Sequence, residues 1–315
     1  MQLGMIGLGK MGSNMATRLL TLGKHKLVVY DRSQEALKQS VSAGAVAAKD
    51  VKDLVKKLDT PRTVWVMLPA GEITENTIKE LTGLLDKGDT IIDGGNSKFT
   101  DDVRRGKELA ALGFQYMDVG TSGGIWGLKR GYSLMIGGDP KNFKRLEPIF
   151  KTLAPAGRKG DLGYEGEKPI VDGYALFGPA GSGHFVKMVH NGIEYAIMQA
   201  YAEGFDIMRA FPHAKLDMTQ IAETWRNGSV VASWLLDLSA IALTEDPEFK
   251  GIKPFVTESG EGKWTCECAL QWGVPASVIT ESVITRFVSQ GKSAYALKFL
   301  NALRHQFGGH EIVKE

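Results

Sequence analysis

Apolar and polar positions alternate along this chain in two rhythms. Up to residue 153, short apolar runs are separated by amphipathic stretches, which predicts strands and helices in turn. Strands are expected at 3–6, 27–30, 63–68, 90–93, 114–119 and 132–136, and helices at 13–22, 34–42, 51–58, 74–85 and 142–153. Residues 154–182 are rich in glycine and proline and hold no long periodic segment, only a short apolar stretch at Ile170-Val171. Beyond Phe177 the strand pattern vanishes. Helices are expected at 184–209, 219–225, 230–243, 263–272, 276–289 and 295–305. The expected fold is α/β followed by all-α: a doubly wound parallel sheet over residues 1–176, then an all-helical domain over 177–315.

The first strand runs straight into Gly7-Leu-Gly-Lys-Met-Gly12, a helix follows, and the second strand ends at Asp31. Strand, G-x-G-x-x-G, helix, strand and acid in this order are the signature of a Rossmann-type dinucleotide-binding unit. Gly7 permits the tight turn, Gly9 lets backbone approach a pyrophosphate, and Gly12 lets helix and strand pack closely. The helix N-terminus offers N–H groups and a positive dipole end to the phosphates. Leu8, Lys10 and Met11 lie in the same turn, and Arg32 and Ser33 follow the acid. A carboxylate at Asp31 accepts hydrogen bonds from ribose hydroxyls and repels the extra phosphate of NADP, while Arg32 partly offsets that repulsion. The cofactor expected is NAD, with NADP weaker.

Three further strands deliver small or polar residues at their carboxyl ends, where an open α/β sheet binds ligands. These are Leu68-Pro-Ala70 before Gly71, Gly94-Gly-Asn-Ser97, and Gly120-Thr-Ser-Gly-Gly124. A glycine pair alone marks only a turn. Asn96 and Ser122, standing beside bare backbone, look like groups that bind carboxylate and hydroxyls.

At helical spacing Lys187, His190, Asn191, Glu194 and Tyr195 form one stripe over two turns, beside an apolar stripe of Val186, Val189, Ile193, Ala196 and Ile197. One reading is a solvated face with a Lys/Glu pair. The other is a catalytic face that gathers a base, an acid, an imidazole, an amide and a phenol.

Composition removes some function classes. The 315 residues suffice for two domains. Net charge is only +2, which gives no footing for nucleic acid or membrane partners, and no apolar run reaches the length of a membrane span. The N-terminus enters a strand with no leader pattern, and the only cysteines, Cys266 and Cys268, make neither a disulfide framework nor a zinc site. A cytoplasmic setting is expected, with no metal, since no carboxylate cluster for magnesium is evident.

Together, Gly7-Leu-Gly-Lys-Met-Gly12, Asp93-Gly-Gly-Asn-Ser97, Ser122-Gly-Gly124 and Gly183-His-Phe-Val-Lys-Met-Val-His-Asn-Gly-Ile-Glu-Tyr195 resemble the decarboxylating 6-phosphogluconate dehydrogenases. Gly262-Lys-Trp-Thr265 and Arg304-His-Gln-Phe-Gly-Gly-His310 extend the likeness almost to the C-terminus. The chain looks like the family's shorter, NAD-preferring form, without the second half of a duplicated helical domain. The resemblance implies oxidation of 6-phosphogluconate to ribulose 5-phosphate and carbon dioxide, a step of the pentose phosphate pathway. It implies Lys187 as general base, Glu194 as the acid that protonates carbon 1 of an enediol, and His190 and Asn191 as their catalytic companions. A lysine base needs a lowered pKa, which burial supplies. Asn96, Ser122, Gly123, Gly124, His190 and Asn191 match positions that hold the carboxylate and hydroxyls of the substrate, with Asn96 also near the cofactor. Tyr195 and Arg286 match phosphate contacts, although Arg286 by itself reads as an exposed helix arginine. Arg304 and His310 match a tail that reaches a neighbouring subunit's site, which implies a homo-oligomer, dimer or tetramer.

One stretch departs from the family's longer members. Where they read Lys-Gly-Thr-Gly, this chain reads Ser259-Gly-Glu-Gly262, so a basic and a hydroxyl phosphate ligand become Ser259 and Glu261. Ser259 remains a donor, and Glu261 must point away from a phosphate or weaken its binding. Two other readings stand: a β-hydroxyacid dehydrogenase of the 3-hydroxyisobutyrate type, and a nucleotide-binding protein without chemistry.

Overall fold

The protein is described here by a computed structural model covering residues 1–155 and 172–314. The stretch Ile170-Val171 lies outside the described residues. The chain divides into two compact units, Met1–Met188 and Val189–Glu315.

In the first unit the elements run β1 (Gln2–Ile6), α1 (Lys10–Thr21), β2 (Lys26–Tyr30), α2 (Gln34–Ser42), β3 (Val46–Ala47), α3 (Val51–Lys56), β4 (Thr63–Val66), α4 (Glu72–Thr82), β5 (Thr90–Asp93), α5 (Phe99–Leu112), β6 (Gln115–Ser122), a 3-10 turn (Gly124–Trp126), α6 (Gly127–Arg130), β7 (Ser133–Gly138), α7 (Pro140–Leu153) and β8 (Tyr174–Gly178). One sheet holds all eight strands in the order β3-β2-β1-β4-β5-β6-β7-β8. Every pairing is parallel except β6 with β7. The order reverses between β1 and β4, so this is a doubly wound sheet with its switch point where the glycine-rich turn lies.

Alternation along the strands sorts the core into two faces. Met5, Val29, Trp65, Ile92 and Ile136 pack with Met15 and Leu19 of α1 and Leu146 and Phe150 of α7. Ile6, Val28, Val64, Val66 and Ile91 pack with Leu54 of α3, Ile78 and Leu81 of α4, and Leu109 of α5. Caps start several helices: Ser33 accepts from the Ala36 N–H, Asp50 from Asp53, and Asp139, just before Pro140, from Lys141 and Asn142.

The second unit holds most of α8 (Ser182–Arg209), which starts in the first unit, followed by α9 (Met218–Arg226), α10 (Trp234–Glu245), α11 (Glu261–Trp272), α12 (Ser277–Ser289) and α13 (Ala294–Gly308). Leu236, Ala240 and Leu243 of α10 pack with Met218 and Ala222 of α9 and with Tyr201 and Phe205 of α8. Tyr195 of α8 packs with Cys266 of α11 and Val283 of α12. Both cysteines are free thiols. No helix among the described residues is long and apolar enough to cross a membrane.

The apolar pattern predicts neither α5, β3 nor β8, and it ends β6 three residues early. Helix α5 escapes because its buried face is Asp102, Arg105 and Leu109, so two of its three inward positions are charged. Strand β8 sits within the glycine- and proline-rich segment, and a domain cut at 176/177 falls inside it.

Candidate active site

The nucleotide turn is built by close approach. Gly7 has φ +95, and a Cβ there would strike the Met67 carbonyl and come within 3.0 Å of Leu68 Cδ2. A Cβ on Gly12 would strike the Gly7 carbonyl. Nothing lies within 4 Å of a Cβ on Gly9, which is exposed at the N-cap of α1 with no side-chain cap. The turn is therefore full on its protein side and open on the other, the cradle a pyrophosphate needs. Asp31 accepts from the Leu8 N–H at 2.6 Å and the Ser33 N–H at 2.7 Å, which fixes its carboxylate at the end of β2. Arg32, Lys10, Pro69 and Ala70 are exposed around this turn, and Met11 is half-buried. The Pro69 carbonyl accepts from Thr74 Oγ1 at 2.8 Å, which ties the loop after β4 to α4. These residues fit a dinucleotide.

Lys187 lies in the second turn of α8 and is 6% exposed. Its stem runs over Gly120 of β6, where an added Cβ would strike Lys187 Cβ and sit 2.9 Å from Cγ. The missing side chain at 120 is what admits the lysine beside the carboxyl end of the sheet. A Cβ on Gly183 would strike the Met135 carbonyl, so α8 meets the sheet backbone to backbone. Ser122, Gly123 (φ +142) and Gly124 (φ +52) follow Gly120 within four residues. Asn96 is exposed in the turn after β5, between the buried Gly94 and Ser97.

Under this end of the sheet lies an ionic web. Asp118 of β6 accepts from the Gly181 N–H at 2.6 Å and the His184 N–H at 2.7 Å, capping α8 from outside. His184 Nδ1 donates to Asp102 Oδ2 at 2.8 Å, and Tyr116 donates to Asp102 Oδ1 at 2.6 Å. Arg105 Nη1 reaches Asp93 Oδ2 at 3.0 Å and lies 3.8 Å from Asp102 Oδ1, while its Nε donates to Glu75 at 2.8 Å. Asp93 in turn accepts from the Gly95 N–H at 3.0 Å and Ser97 Oγ at 2.6 Å. Burial alone would lower the His184 pKa, but the charge and hydrogen bond of Asp102, helped by Asp93 and Asp118, raise it to about 10. Burial pushes the carboxyls of Asp93 and Asp118 up, against the pull of the His184 charge. Ligand atoms of Asp93, Asp102 and His184 fall within 4.8 Å of one another. Arg105 and the imidazolium already place two cations there, so this donor set does not suit a metal ion.

Along α8 past Lys187, Asn191 and Tyr195 are buried and His190 and Glu194 half-buried. His190 Nδ1 lies 3.1 Å from Asn191 Oδ1 and 3.8 Å from Glu194 Oε2. Tyr195, Ser259 and Arg286 come together within the second unit. Tyr195 Oη and Ser259 Oγ are 2.8 Å apart, and the Arg286 guanidinium stacks 3.6 Å over the Tyr195 ring while donating to the Thr257 carbonyl at 2.7 Å. Arg286 is thus a stacked, half-buried arginine rather than a free helix arginine. Glu261 is buried in the first turn of α11, where the helix dipole favours a carboxylate. Arg304 and His310 are exposed and make no hydrogen bond to Tyr195, Ser259 or Arg286. The His310 carbonyl accepts from His305 Nδ1 at 2.8 Å and its ring packs edge-on to Phe307, folding the tail back on α13.

Sequence reasoning missed Asp102, Arg105 and Asp118, and it named Gly120 and His184 only within longer motifs, without the roles their contacts give them. A carboxylate closing an apolar strand, as Asp93 does, or set within one, as Asp118 is, was the available signal.

Residues 2–160 match the NAD binding domain of 6-phosphogluconate dehydrogenase, and residues 183–311 match the 6-phosphogluconate dehydrogenase C-terminal domain. An NAD(+)-dependent, decarboxylating 6-phosphogluconate dehydrogenase of Haloferax volcanii is 40% identical over 316 residues, covering 100% of this chain and 99% of that one. The solved Plasmodium falciparum 6-phosphogluconate dehydrogenase, described with NADP+ and with 6-phosphogluconate, superposes with a TM-score of 0.81 at 28% identity. That likeness covers 100% of this chain and 66% of that one. A Mycobacterium tuberculosis 3-hydroxyisobutyrate dehydrogenase shares the fold, with a TM-score of 0.70 at 17% identity over 93% of this chain and 94% of that one. The chain belongs to the 6-phosphogluconate dehydrogenase family and is an NAD(P)-dependent enzyme.

Proposed function

We propose that this enzyme oxidises and decarboxylates 6-phosphogluconate to ribulose 5-phosphate, with NAD as the preferred acceptor. The observation that carries this reading is Lys187, a buried amine on α8 whose stem lies on Gly120 at the ligand-binding end of the sheet. Burial removes the ammonium from bulk water, the condition a lysine base requires. Asp31, set to meet ribose hydroxyls, supports NAD over NADP.

Lys187 takes the proton of the carbon 3 hydroxyl. Bound NAD supplies the acceptor for the hydride that leaves carbon 3. The product is a 3-keto acid whose carboxylate is β to the new carbonyl. Protonated Lys187 then hydrogen-bonds the carbonyl oxygen. As the bond from carbon 1 to carbon 2 breaks, the electron pair moves toward that oxygen, and Lys187 returns its proton there. Glu194, seven residues along the helix, gives a proton to the terminal carbon of the resulting enediol, which becomes carbon 1 of the pentulose, while the neutral Lys187 takes back the proton of the neighbouring enol hydroxyl as the ketone forms. Asn96, Ser122, Gly123, Gly124, His190 and Asn191 hold the carboxylate and hydroxyls. Tyr195, Ser259 and Arg286 hold the phosphate, Arg286 with its planar fork. Arg304 and His310 act on a neighbouring subunit in a cytoplasmic homo-oligomer. Helix α13 supports this, since none of its residues is buried although it carries Leu297, Phe299, Leu300 and Leu303.

Steady-state kinetics with NAD and NADP against 6-phosphogluconate, gluconate and 3-hydroxyisobutyrate test the reading, with carbon dioxide measured in parallel. Turnover of 6-phosphogluconate with one carbon dioxide per NADH is expected, and Lys187→Ala should lose about 100-fold or more in kcat. Oxidation without carbon dioxide would favour a simple hydroxyacid dehydrogenase. Cofactor binding with no turnover of any acid would favour a protein without chemistry.

A further inference from the structure

We propose that the buried chain Asp93–Arg105–Asp102–His184 is a positioning device that holds the turn carrying Asn96 and the second turn of α8 carrying Lys187 in one fixed register, with His184 as its central positioning residue. The proposal rests on the reading of Lys187 as the base and adds residues that touch neither substrate nor cofactor.

Each link is buried, and all but the longer Arg105–Asp102 ion pair are hydrogen bonds. At one end, Asp93 grips the turn after β5 through the Gly95 N–H at 3.0 Å and Ser97 Oγ at 2.6 Å. At the other, His184 is held twice: its backbone N–H by Asp118 at 2.7 Å, and its ring by Asp102 at 2.8 Å. Arg105 bridges the two ends from α5, 3.0 Å from Asp93 and 3.8 Å from Asp102. Asp93, Asp102, Arg105, Asp118 and His184 are all at most 3% exposed. His184 precedes Lys187 by three residues, so rotation of α8 at His184 would carry the Lys187 amine with it.

An apolar contact would tolerate such a rotation, because dispersion is non-directional. A charged hydrogen bond to a single oxygen does not. Fixing a base and a binding turn through one web is how a site keeps its geometry within the fraction of an ångström that proton transfer needs. A core serving stability alone would be better filled with apolar side chains, since burying ions costs desolvation. Phe99 of α5 packs edge-on against Phe185 at 5.2 Å, so the same helix pair also has an ordinary apolar contact.

The test uses the full-length enzyme and compares His184→Leu, His184→Asn, Ser97→Ala and Lys187→Ala for kcat, KM for 6-phosphogluconate, NAD dissociation constant and melting temperature. Asn places an amide N–H where Nδ1 donated, while Leu does not. With positioning at work, His184→Leu loses about 100-fold in kcat with a much smaller change in KM and NAD affinity. His184→Asn recovers to within about tenfold of wild type. Ser97→Ala, which removes one hydroxyl and is expected to fold even if His184→Leu does not, also lowers kcat more than KM. The proposal is overturned if Lys187→Ala is inactive while His184→Leu and Ser97→Ala keep wild-type kcat. It is equally overturned if Ser97→Ala is wild-type and kcat in both His184 variants falls only in step with NAD affinity and melting temperature. Retained turnover in Lys187→Ala is a separate result: it removes the base assignment itself, and this proposal with it.

Discussion

Gly120 shows how an absent side chain shapes this site. Lys187 occupies the space that any Cβ at 120 would take. Gly120→Ala must push the lysine stem or the strand by a good part of an ångström, and kcat should fall by about 100-fold while NAD still binds. Single-turnover kinetics beside a cofactor titration would show it, and an unchanged kcat would mean that the lysine has slack. Asp31 has the opposite role, a charge that matters because it is fixed. Both of its oxygens accept backbone N–H groups, so the carboxylate cannot turn away from an arriving 2′-phosphate. Asp31→Ser should raise KM for NAD by about tenfold and shift the ratio of kcat/KM toward NADP. A ratio that stays put would transfer the discrimination to another residue.

At the scale of elements, α8 matters most, since it begins on the sheet and supplies Lys187 through Tyr195. Its start is fixed by charge: Asp118 caps it and Asp102 holds His184. This gives the fold a pH signature. The His184 pKa is raised from 6.5 to about 10 in the folded protein. The stabilisation from its protonation is therefore complete below about pH 6.5, declines as pH rises, and is gone above about pH 10. Melting temperatures of wild type and His184→Asn across pH 6 to 10 should converge as pH rises, because only the wild type loses this contribution. Two parallel curves would mean that His184 is neutral in the folded state. Helix α5 supplies the counter-charges, and its inward row of Asp102, Arg105 and Leu109 is a hydrophobic stripe with two positions converted to ions.

At the scale of the whole molecule, the apolar surface of the second unit is the dominant feature. Helix α13 has no buried residue, yet Tyr295 is 82% exposed and Phe307 is 77% exposed. In the homo-oligomer proposed above, this is the surface that a second copy of the chain would cover. Leu300→Glu with Leu303→Glu should convert the oligomer to monomer in sedimentation. If Arg304 and His310 serve a neighbouring subunit as proposed, turnover should fall with it. A wild-type monomer with full activity would remove the assembly from the picture.

The nucleotide fold was legible in the chain itself, and so were the residue types to which the proposed function gives its chemistry. Glycine spacing and strand-terminal acids obey local backbone physics, which sequence order displays directly. The stripe from Lys187 to Tyr195 was legible because helical spacing is also local. The stacking of Arg286 on Tyr195 was not, since it joins residues 91 positions apart by packing alone. Helix α5 and its charges stayed hidden because a buried ion looks polar in the chain and apolar periodicity is the signal that reveals helices. Only the tertiary structure could decide that Asp93, Asp102, Asp118 and His184 share one dry space. The packing of β5, β6, α5 and α8 makes them neighbours across long stretches of chain, and their mutual attraction becomes strong only once the sheet has excluded water from them.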